Sequence, residues 1–256
     1  MMSSSSFFCE NLVSTPSQKI QNFPQPAFVQ SSLRIIMKLS EHPISRVLYS
    51  REDIASAVEH VSSAIHARFG TSRFYENVIF LPCMTGAMFF ASDVMRRLQQ
   101  MVLEEEEGVM VDLELGSCVA TSYENVNASG VGSEKVKNVH VKGNVRGKTV
   151  VVIEDIVDTG NTLVTLCDAL YAQGAKDVHC ATLLNKQARR REENTKAFER
   201  LLARENDANE SKEEGLYIGI ECEDEFVVGF GLDYNGAYRC LPYIGVLTEK
   251  AIREMI

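Results

Sequence analysis

The feature that most constrains the fold is a strand, a helix and a second strand in close succession. Residues 149–154 are mainly β-branched and predict a buried strand. A helix is expected from about Thr162 to Gln173, where Gly174 would end it, and residues 177–184 predict the next strand. Two strands joined by one helix in this way run parallel. We therefore expect an α/β fold, a mainly parallel sheet flanked by helices.

Further helices and strands are expected around this unit. Ser50 and Asp53 have the spacing of a capping box, which predicts the start of a helix. A second amphipathic helix is expected after the turn at Thr85 and Gly86, and the acidic run 104–107 would be its solvated end. The other strands are expected at residues 78–81, 109–113, 118–121 and 226–232.

Composition divides the chain into an arm, a domain and a surface insertion. Residues 1–33 are rich in Ser and Pro and are expected to be a disordered arm. Residues 34–256 would form the domain, with its core at about 70–187 and 216–232. Residues 188–215 are dense in charges of both signs, which favours a partly helical insertion on the surface.

Charge and cysteine content exclude several classes of protein. The net charge of −9 argues against a general nucleic-acid binder. No apolar run approaches the roughly 18 residues that span a bilayer. The seven cysteines are scattered without a C-x-x-C pair, which suggests neither a zinc site nor a disulfide framework. We expect a soluble, cytoplasmic protein with no membrane or nucleic-acid partner.

One turn carries the chemistry. The strand at 149–154 ends in the adjacent carboxylates Glu154 and Asp155, and residues 158–162 form a small, hydroxyl-rich turn before the helix. Free N–H groups at a helix start bind anions, and a glycine lets the backbone approach a ligand closely. The carboxylates would repel a phosphate but suit a ribose diol or a metal. Asp158 as the N-cap of a plain strand–turn–helix is the alternative.

This turn resembles the motif that binds phosphoribosyl pyrophosphate (PRPP) in the type I phosphoribosyltransferases. Further matches narrow the resemblance to the hypoxanthine-guanine branch and cover about residues 45–250: Ser122 with Tyr123, Lys186 at the end of a strand, the segment 225–235, and Arg239. The resemblance implies a parallel sheet flanked by helices with a small hood subdomain, built from about 34–60 and 225–256.

The resemblance also implies which residues bind PRPP and metal. The implied PRPP and phosphate ligands are Thr85, Gly86, Glu154, Asp155, Asp158, Thr159, Gly160, Asn161, Thr162 and Arg239. Glu154 and Asp155 would hold the ribose hydroxyls, the turn would hold the 5′-phosphate, and Arg239 would grip pyrophosphate. The implied Mg²⁺ ligands are Glu154, Asp155 and Asp233.

Purine-binding and catalytic residues follow from the same resemblance. The implied purine ligands are Ile156, Lys186, Phe226, Val227 and Asp233. Lys186 would donate to the purine O6, and Phe226 would stack on the base. Taken alone, Lys186 has the minority alternative of a solvated strand end, and Phe226 would more often be a core residue; the ordered set favours a site for both. Asp158 would be the general base at N7. Ser122 and Tyr123 would lie on a catalytic lid. The sequence leaves the lid region, residues 123–148, as a long loop or an irregular hairpin.

The implied reaction transfers the phosphoribosyl group of PRPP to N9 of hypoxanthine or guanine, giving IMP or GMP and pyrophosphate, with Mg²⁺ as cofactor. Xanthine, giving XMP, stays open, and so does a sensor of PRPP or nucleotides with the same fold. Relatives of this type imply a homodimer or homotetramer. The chain departs from the family at Met84, where a lysine is usual, and a cis peptide is expected between Cys83 and Met84.

Overall fold

The structure is a computed structural model and describes residues 43–70, 75–105, 110–123, 135–188, 190, 194 and 215–254. The expected arm at 1–33 and nearly all of the insertion at 188–215 lie outside these residues. The helices are α1 (Arg51–Phe69), α2 (Met88–Glu105), α3 (Asn161–Ala172) and α4 (Glu249–Glu254). The strands are β1 (Ile44–Tyr49), β2 (Val78–Pro82), β3 (Glu114–Leu115), β4 (Ser117–Tyr123), β5 (Lys135–Lys142), β6 (Thr149–Val157), β7 (Asp177–Asn185), β8 (Leu216–Glu221), β9 (Val227–Val228) and β10 (Ile244–Leu247).

A five-stranded sheet of order β3-β2-β6-β7-β8 forms the centre, and every neighbouring pair in it is parallel. The apolar residues of β6 from Val150 to Ile153 are completely buried. Burial on both faces is what a parallel sheet covered by helices requires. The predicted strand–helix–strand unit is confirmed as β6, α3 and β7, and the predicted α/β class with it.

Helices α1 and α2 pack on each other and against the central sheet. The predicted capping box is present: the Ser50 hydroxyl accepts from the N–H of Asp53, and the Asp53 carboxylate accepts from the N–H of Ser50. Among the described helices, none is both long enough and apolar enough to cross a membrane.

A second, antiparallel sheet of order β1-β10-β9 joins residues near the start of the domain to residues near its end. Ile44, Val228, Leu247 and Ala251 form its own small apolar core. The strand predicted at 226–232 is wrong beyond Val228, because Gly229, Phe230 and Gly231 have positive φ angles that end the strand. Strand β9 therefore belongs to this second sheet and not to the central one.

Two other predicted strands are also placed differently. Residues 110–113 are not a strand; β3 is only Glu114–Leu115, at the sheet edge, where Met110 is 79% and Leu115 61% exposed. Residues 118–121 lie in β4, which pairs with β5 in a separate antiparallel hairpin. One isolated bridge, between Cys83 and Cys118, links β4 to the residue that follows β2. The strand predicted at 109–113 is therefore wrong over the described residues 110–113, because pairing with β2 begins only at Glu114.

Candidate active site

The acidic pair lies where β6 reaches the carboxyl edge of the central sheet. Glu154 is buried. Burial is the main cause that raises the pKa of Glu154 to about 8, and the charge of Asp155 adds to the rise. Burial likewise raises the pKa of Asp155 to about 6, with the charge of Asp233 adding to the rise and that of Arg239 opposing it. The raised pKa values show that two charges side by side are unfavourable here, and a cation or several hydroxyl donors would stabilise the ionised form of both carboxylates.

The loop after β2 passes directly against this pair. A Cβ at Gly86 would lie 1.9 Å from Oδ2 of Asp155, so a larger residue there would displace the Asp155 carboxylate. The Met84 N–H donates to the Cys118 carbonyl at 2.8 Å and holds the loop in place. The cis peptide lies between Met84 and Thr85, one bond later than the expected Cys83–Met84 position. Thr85 and Gly86 thus turn beside Asp155, as a loop that serves the same ligand would.

A loop from the second sheet closes the other side of the site. A Cβ at Gly231 would lie 1.9 Å from the Gly86 carbonyl oxygen, so the two loops touch through their backbones. Arg239 donates to the Gly231 carbonyl at 2.6 Å and pairs with Asp233 at 2.7 Å. The Asp233 carboxylate also accepts from the N–H of Gly236 at 2.7 Å. Arg239 and Asp233 are therefore brought close to the acidic pair.

The turn between β6 and α3 has the geometry of an anion site. Gly160 is the N-cap of α3 and has a φ of 81°, which a glycine adopts without strain. The N–H groups of the first turn of α3, which begins at Asn161 and Thr162, point out of the helix start. Asp158 Oδ1 is buried and has no hydrogen-bond partner among the residues that the structure describes. Thr159 contributes its hydroxyl, which accepts from the Asn161 N–H at 3.4 Å.

The predicted purine ligands lie next to this turn. Lys186 is buried; its Nζ donates to the Glu225 carbonyl at 3.0 Å and lies 2.9 Å from Asp224 Oδ1. The Phe226 ring is 41% exposed and meets Tyr234 edge to face, with ring centroids 5.1 Å apart. A partly exposed aromatic ring, one residue after the carbonyl that fixes the Lys186 ammonium group, suits a planar, polar-edged ligand.

Two further predicted purine ligands sit on the flanks of this region. Ile156 is half-buried in β6 opposite Leu184, and Val227 is buried in β9 opposite Val246. Their backbones are held by strand pairing, so any contact with a ligand would be made from a rigid position.

Ser122 and Tyr123 lie at the end of β4. They pair with Val136 and Lys135 of β5, and the register shifts just before them. The hairpin is the second of the two structures that the sequence left open for 123–148. Residues 124–134, where the expected lid would have its tip, lie outside the described residues.

The acidic pair fits a hard cation by its chemistry. Carboxylate oxygens are the ligands of Mg²⁺, which is commonly held by one or two carboxylates together with substrate phosphates. Within the described part of the chain, no three His, Cys, Asp or Glu side chains converge as a complete metal site. The protein could therefore supply Glu154 and Asp155, and the substrate would supply the remaining oxygens.

Sequence reasoning missed two residues of the insertion that lie on the turn. Arg190 donates to the Asn185 side chain at 2.5 Å and to the Val157 carbonyl at 3.4 Å. Asn194 donates to the Thr159 carbonyl at 2.9 Å. No local pattern indicated them, because the charged segment around them resembled an ordinary solvated surface.

Comparison with known proteins agrees with this geometry. Residues 48–207 match the family of phosphoribosyl transferase domains. The chain belongs to the phosphoribosyltransferase family. It is 30% identical to a hypoxanthine-guanine phosphoribosyltransferase of Streptococcus agalactiae over 82% of this chain and 97% of that protein. It is also 30% identical to the bifunctional protein TilS/HprT of Listeria innocua, again over 82% of this chain but only 27% of that protein.

The fold of this phosphoribosyltransferase is shared with solved structures. A hypoxanthine-guanine phosphoribosyltransferase of Bacillus anthracis superposes with a TM-score of 0.57 and 28% sequence identity, covering 80% of this chain and 99% of that one. The resemblance read from the turn and its companion motifs is confirmed, together with the type I fold.

Proposed function

We propose that the protein is a purine-salvage enzyme that joins PRPP and a 6-oxopurine, hypoxanthine or guanine, into the nucleoside 5′-monophosphate and pyrophosphate. The observation that carries this proposal is the meeting of three separate segments at one edge of the central sheet. Asp155 touches the Gly86 loop, that loop touches Gly231, and the Lys186 N–H bonds the Val157 carbonyl just before the turn at 158–162. The named relatives support the substrate class.

In the proposed reaction, purine N9 forms a bond to ribose C1′ as the bond from C1′ to pyrophosphate breaks. The proton on N7 passes to Asp158, whose buried Oδ1 is left without a partner by the described residues. The turn N–H groups would hold the 5′-phosphate, and Thr85, Gly86 and Arg239 would face the departing pyrophosphate. The negative charges of Glu154 and Asp155 would stabilise the positive charge that develops on the ribose.

Mg²⁺ would be held by Glu154 and Asp155, with Asp233 nearby, and would supply positive charge that offsets the charge developing on pyrophosphate. Lys186 would donate to O6 from its fixed position, and Phe226 would stack on the base. A fixed ammonium donor favours an oxygen over an amino group at position 6, so adenine should be rejected.

The decisive experiment measures nucleotide formation from PRPP, Mg²⁺ and each of hypoxanthine, guanine, xanthine and adenine. We expect IMP and GMP at rates typical of enzymes, and no AMP. Conversion of xanthine to XMP would show a broad specificity for oxopurines, and no conversion would show a narrow one. If PRPP binds but no base is converted, the protein is a sensor of PRPP and the catalytic proposal is wrong.

We also propose that the protein forms a homodimer or a homotetramer. Sedimentation equilibrium of the full chain, with and without PRPP and Mg²⁺, checks it. A monomer at micromolar concentration would contradict it.

A further inference from the structure

One side chain outside the matched motifs spans the turn that faces the 5′-phosphate. The amide nitrogen of Asn194 donates to the Thr159 carbonyl at 2.9 Å and to Oδ1 of Asn161 at 2.5 Å. Because a backbone carbonyl can only accept, the nitrogen of this amide must face Thr159. A single NH₂ group therefore links the residues on both sides of Gly160.

Gly160 lies directly beneath this link. It is buried, its φ is 81°, and a Cβ on it would come within 3.5 Å of the Asn194 Cβ. Glycine loses more conformational freedom on ordering than any other residue, so a turn centred on it is costly to hold. A donor that bonds both neighbours of the glycine reduces the conformations open to the turn before any ligand binds.

Arg190, four residues before Asn194, is also held beside the turn. Arg190 bonds the Asn185 side chain at 2.5 Å and the Val157 carbonyl at 3.4 Å, at the ends of β7 and β6. Both Arg190 and Asn194 are partly buried. Arg190 is thus fixed to the same two strand ends that flank the turn, and Asn194, four residues later, bonds the turn itself.

We propose that Asn194 is a positioning residue for the 5′-phosphate end of PRPP, acting through Thr159 and Asn161 by holding the turn in its binding shape. The inference rests on the proposed function, because it takes the turn at 158–162 to be the phosphate site. Preorganised sites bind more tightly because less ordering remains to be done on binding. The amide bonds only the turn and not the regions proposed for pyrophosphate and the base, so its effect should be confined to the 5′-phosphate end of PRPP.

The test compares Asn194→Ala and Asn194→Asp with the wild type, and uses Gln187→Ala as the matched control. Gln187 lies on the same segment, and its exposed amide bonds Glu221 at 3.1 Å. The readouts are KM for PRPP and for hypoxanthine, kcat, the melting temperature, and inhibition constants for ribose 5-phosphate and for pyrophosphate.

We expect Asn194→Ala to raise KM for PRPP and the inhibition constant of ribose 5-phosphate by about fivefold to tenfold, the effect of losing one or two hydrogen bonds. Asn194→Asp should raise both further, because a carboxylate cannot donate and repels a phosphate. KM for hypoxanthine at saturating PRPP and the inhibition constant of pyrophosphate should change by less than about twofold. Gln187→Ala should match the wild type throughout.

Equal weakening of ribose 5-phosphate and pyrophosphate, or an unchanged KM for PRPP, would overturn the inference. If Asn194→Ala does not fold, Asn194→Asp keeps the size of the side chain and carries the same comparison. A wild type that makes no nucleotide refutes the proposed function, while titration with ribose 5-phosphate still measures the contribution of Asn194. A wild type that does not bind ribose 5-phosphate overturns both.

Discussion

At the scale of single residues, the most informative feature of the site is a polar atom that the surrounding residues leave without a hydrogen bond. The Asp158 side chain is partly buried, and its Oδ1, which is fully buried, has no hydrogen-bond partner among the residues that the structure describes. A buried carboxylate oxygen without a donor is costly, and such groups in folded proteins usually serve a ligand. In the proposed reaction, its position beside the turn and before α3 would let it accept the N7 proton of a bound purine.

Replacing Asp158 by asparagine should therefore lower kcat by about 100- to 10,000-fold, the usual contribution of a well-placed general base. The affinity for PRPP should stay nearly unchanged, because the turn N–H groups are intact. Steady-state kinetics with PRPP and hypoxanthine measure both. Asp168→Asn, an exposed position on α3, is the control. If Asp158→Asn keeps more than about half of the wild-type rate, the assignment of the base is wrong.

At the scale of elements, local signals in the sequence correspond to local hydrogen bonds in the structure. Helix α1 begins where the capping box predicts, and both bonds of the box are present at 3.1 Å and 2.8 Å. Helix α3 begins at Asn161, one residue before the expected start. These starts depend on contacts within four residues, so the sequence alone suffices to locate them.

Removing the cap should destabilise the protein without touching the site. Ser50→Ala is expected to lower the free energy of unfolding by about 0.5–2 kcal/mol. Ser56→Ala is the control, because Ser56 is an exposed position of the same helix, its hydroxyl bonds the Glu52 carbonyl within that helix, and alanine favours helix there. Urea denaturation measures both variants. Equal midpoints for Ser50→Ala and Ser56→Ala would show that the box contributes nothing.

At the scale of the whole molecule, the site depends on two sheets that the chain forms far apart in sequence. The loop between β9 and β10 belongs to the antiparallel sheet, yet Gly231 rests on Gly86 of the central sheet's loop. Arg239 fixes that loop through the Gly231 carbonyl and through Asp233. The arrangement of PRPP and base would follow from this contact.

Gly231→Ala should disrupt this contact. The new Cβ would lie 1.9 Å from the Gly86 carbonyl and would sit on a residue with φ of 105°. We expect a loss of stability of more than about 1 kcal/mol together with a fall in kcat/KM for PRPP of at least about tenfold.

Gly147→Ala separates the two causes of this loss. Its φ of 73° carries similar strain, but nothing lies within 4 Å of the added Cβ, and Gly147 precedes β6 at the edge opposite the site. It should lower the melting temperature and leave kcat/KM intact. A parallel fall of activity in both variants would show that strain, not the contact between the loops, is responsible.

What the chain determines locally could be read without a structure. The strand–helix–strand unit, the capping box and the turn at 158–162 depend on residues close in sequence, and each was predicted at nearly its observed position. Lys186 and Phe226 became identifiable only as members of an ordered set, since each alone has an ordinary structural interpretation.

The remainder was decided by tertiary contacts, which no local pattern encodes. Residues 226–232 have the composition of a core strand, but β9 ends at Val228 and pairs with β10, so that the following loop reaches Gly86. Asn194 looked like solvated surface, although its amide spans Gly160. Composition determines which residues favour a strand or a surface, whereas the partner available at a sheet edge or beside a turn exists only once distant segments have packed together.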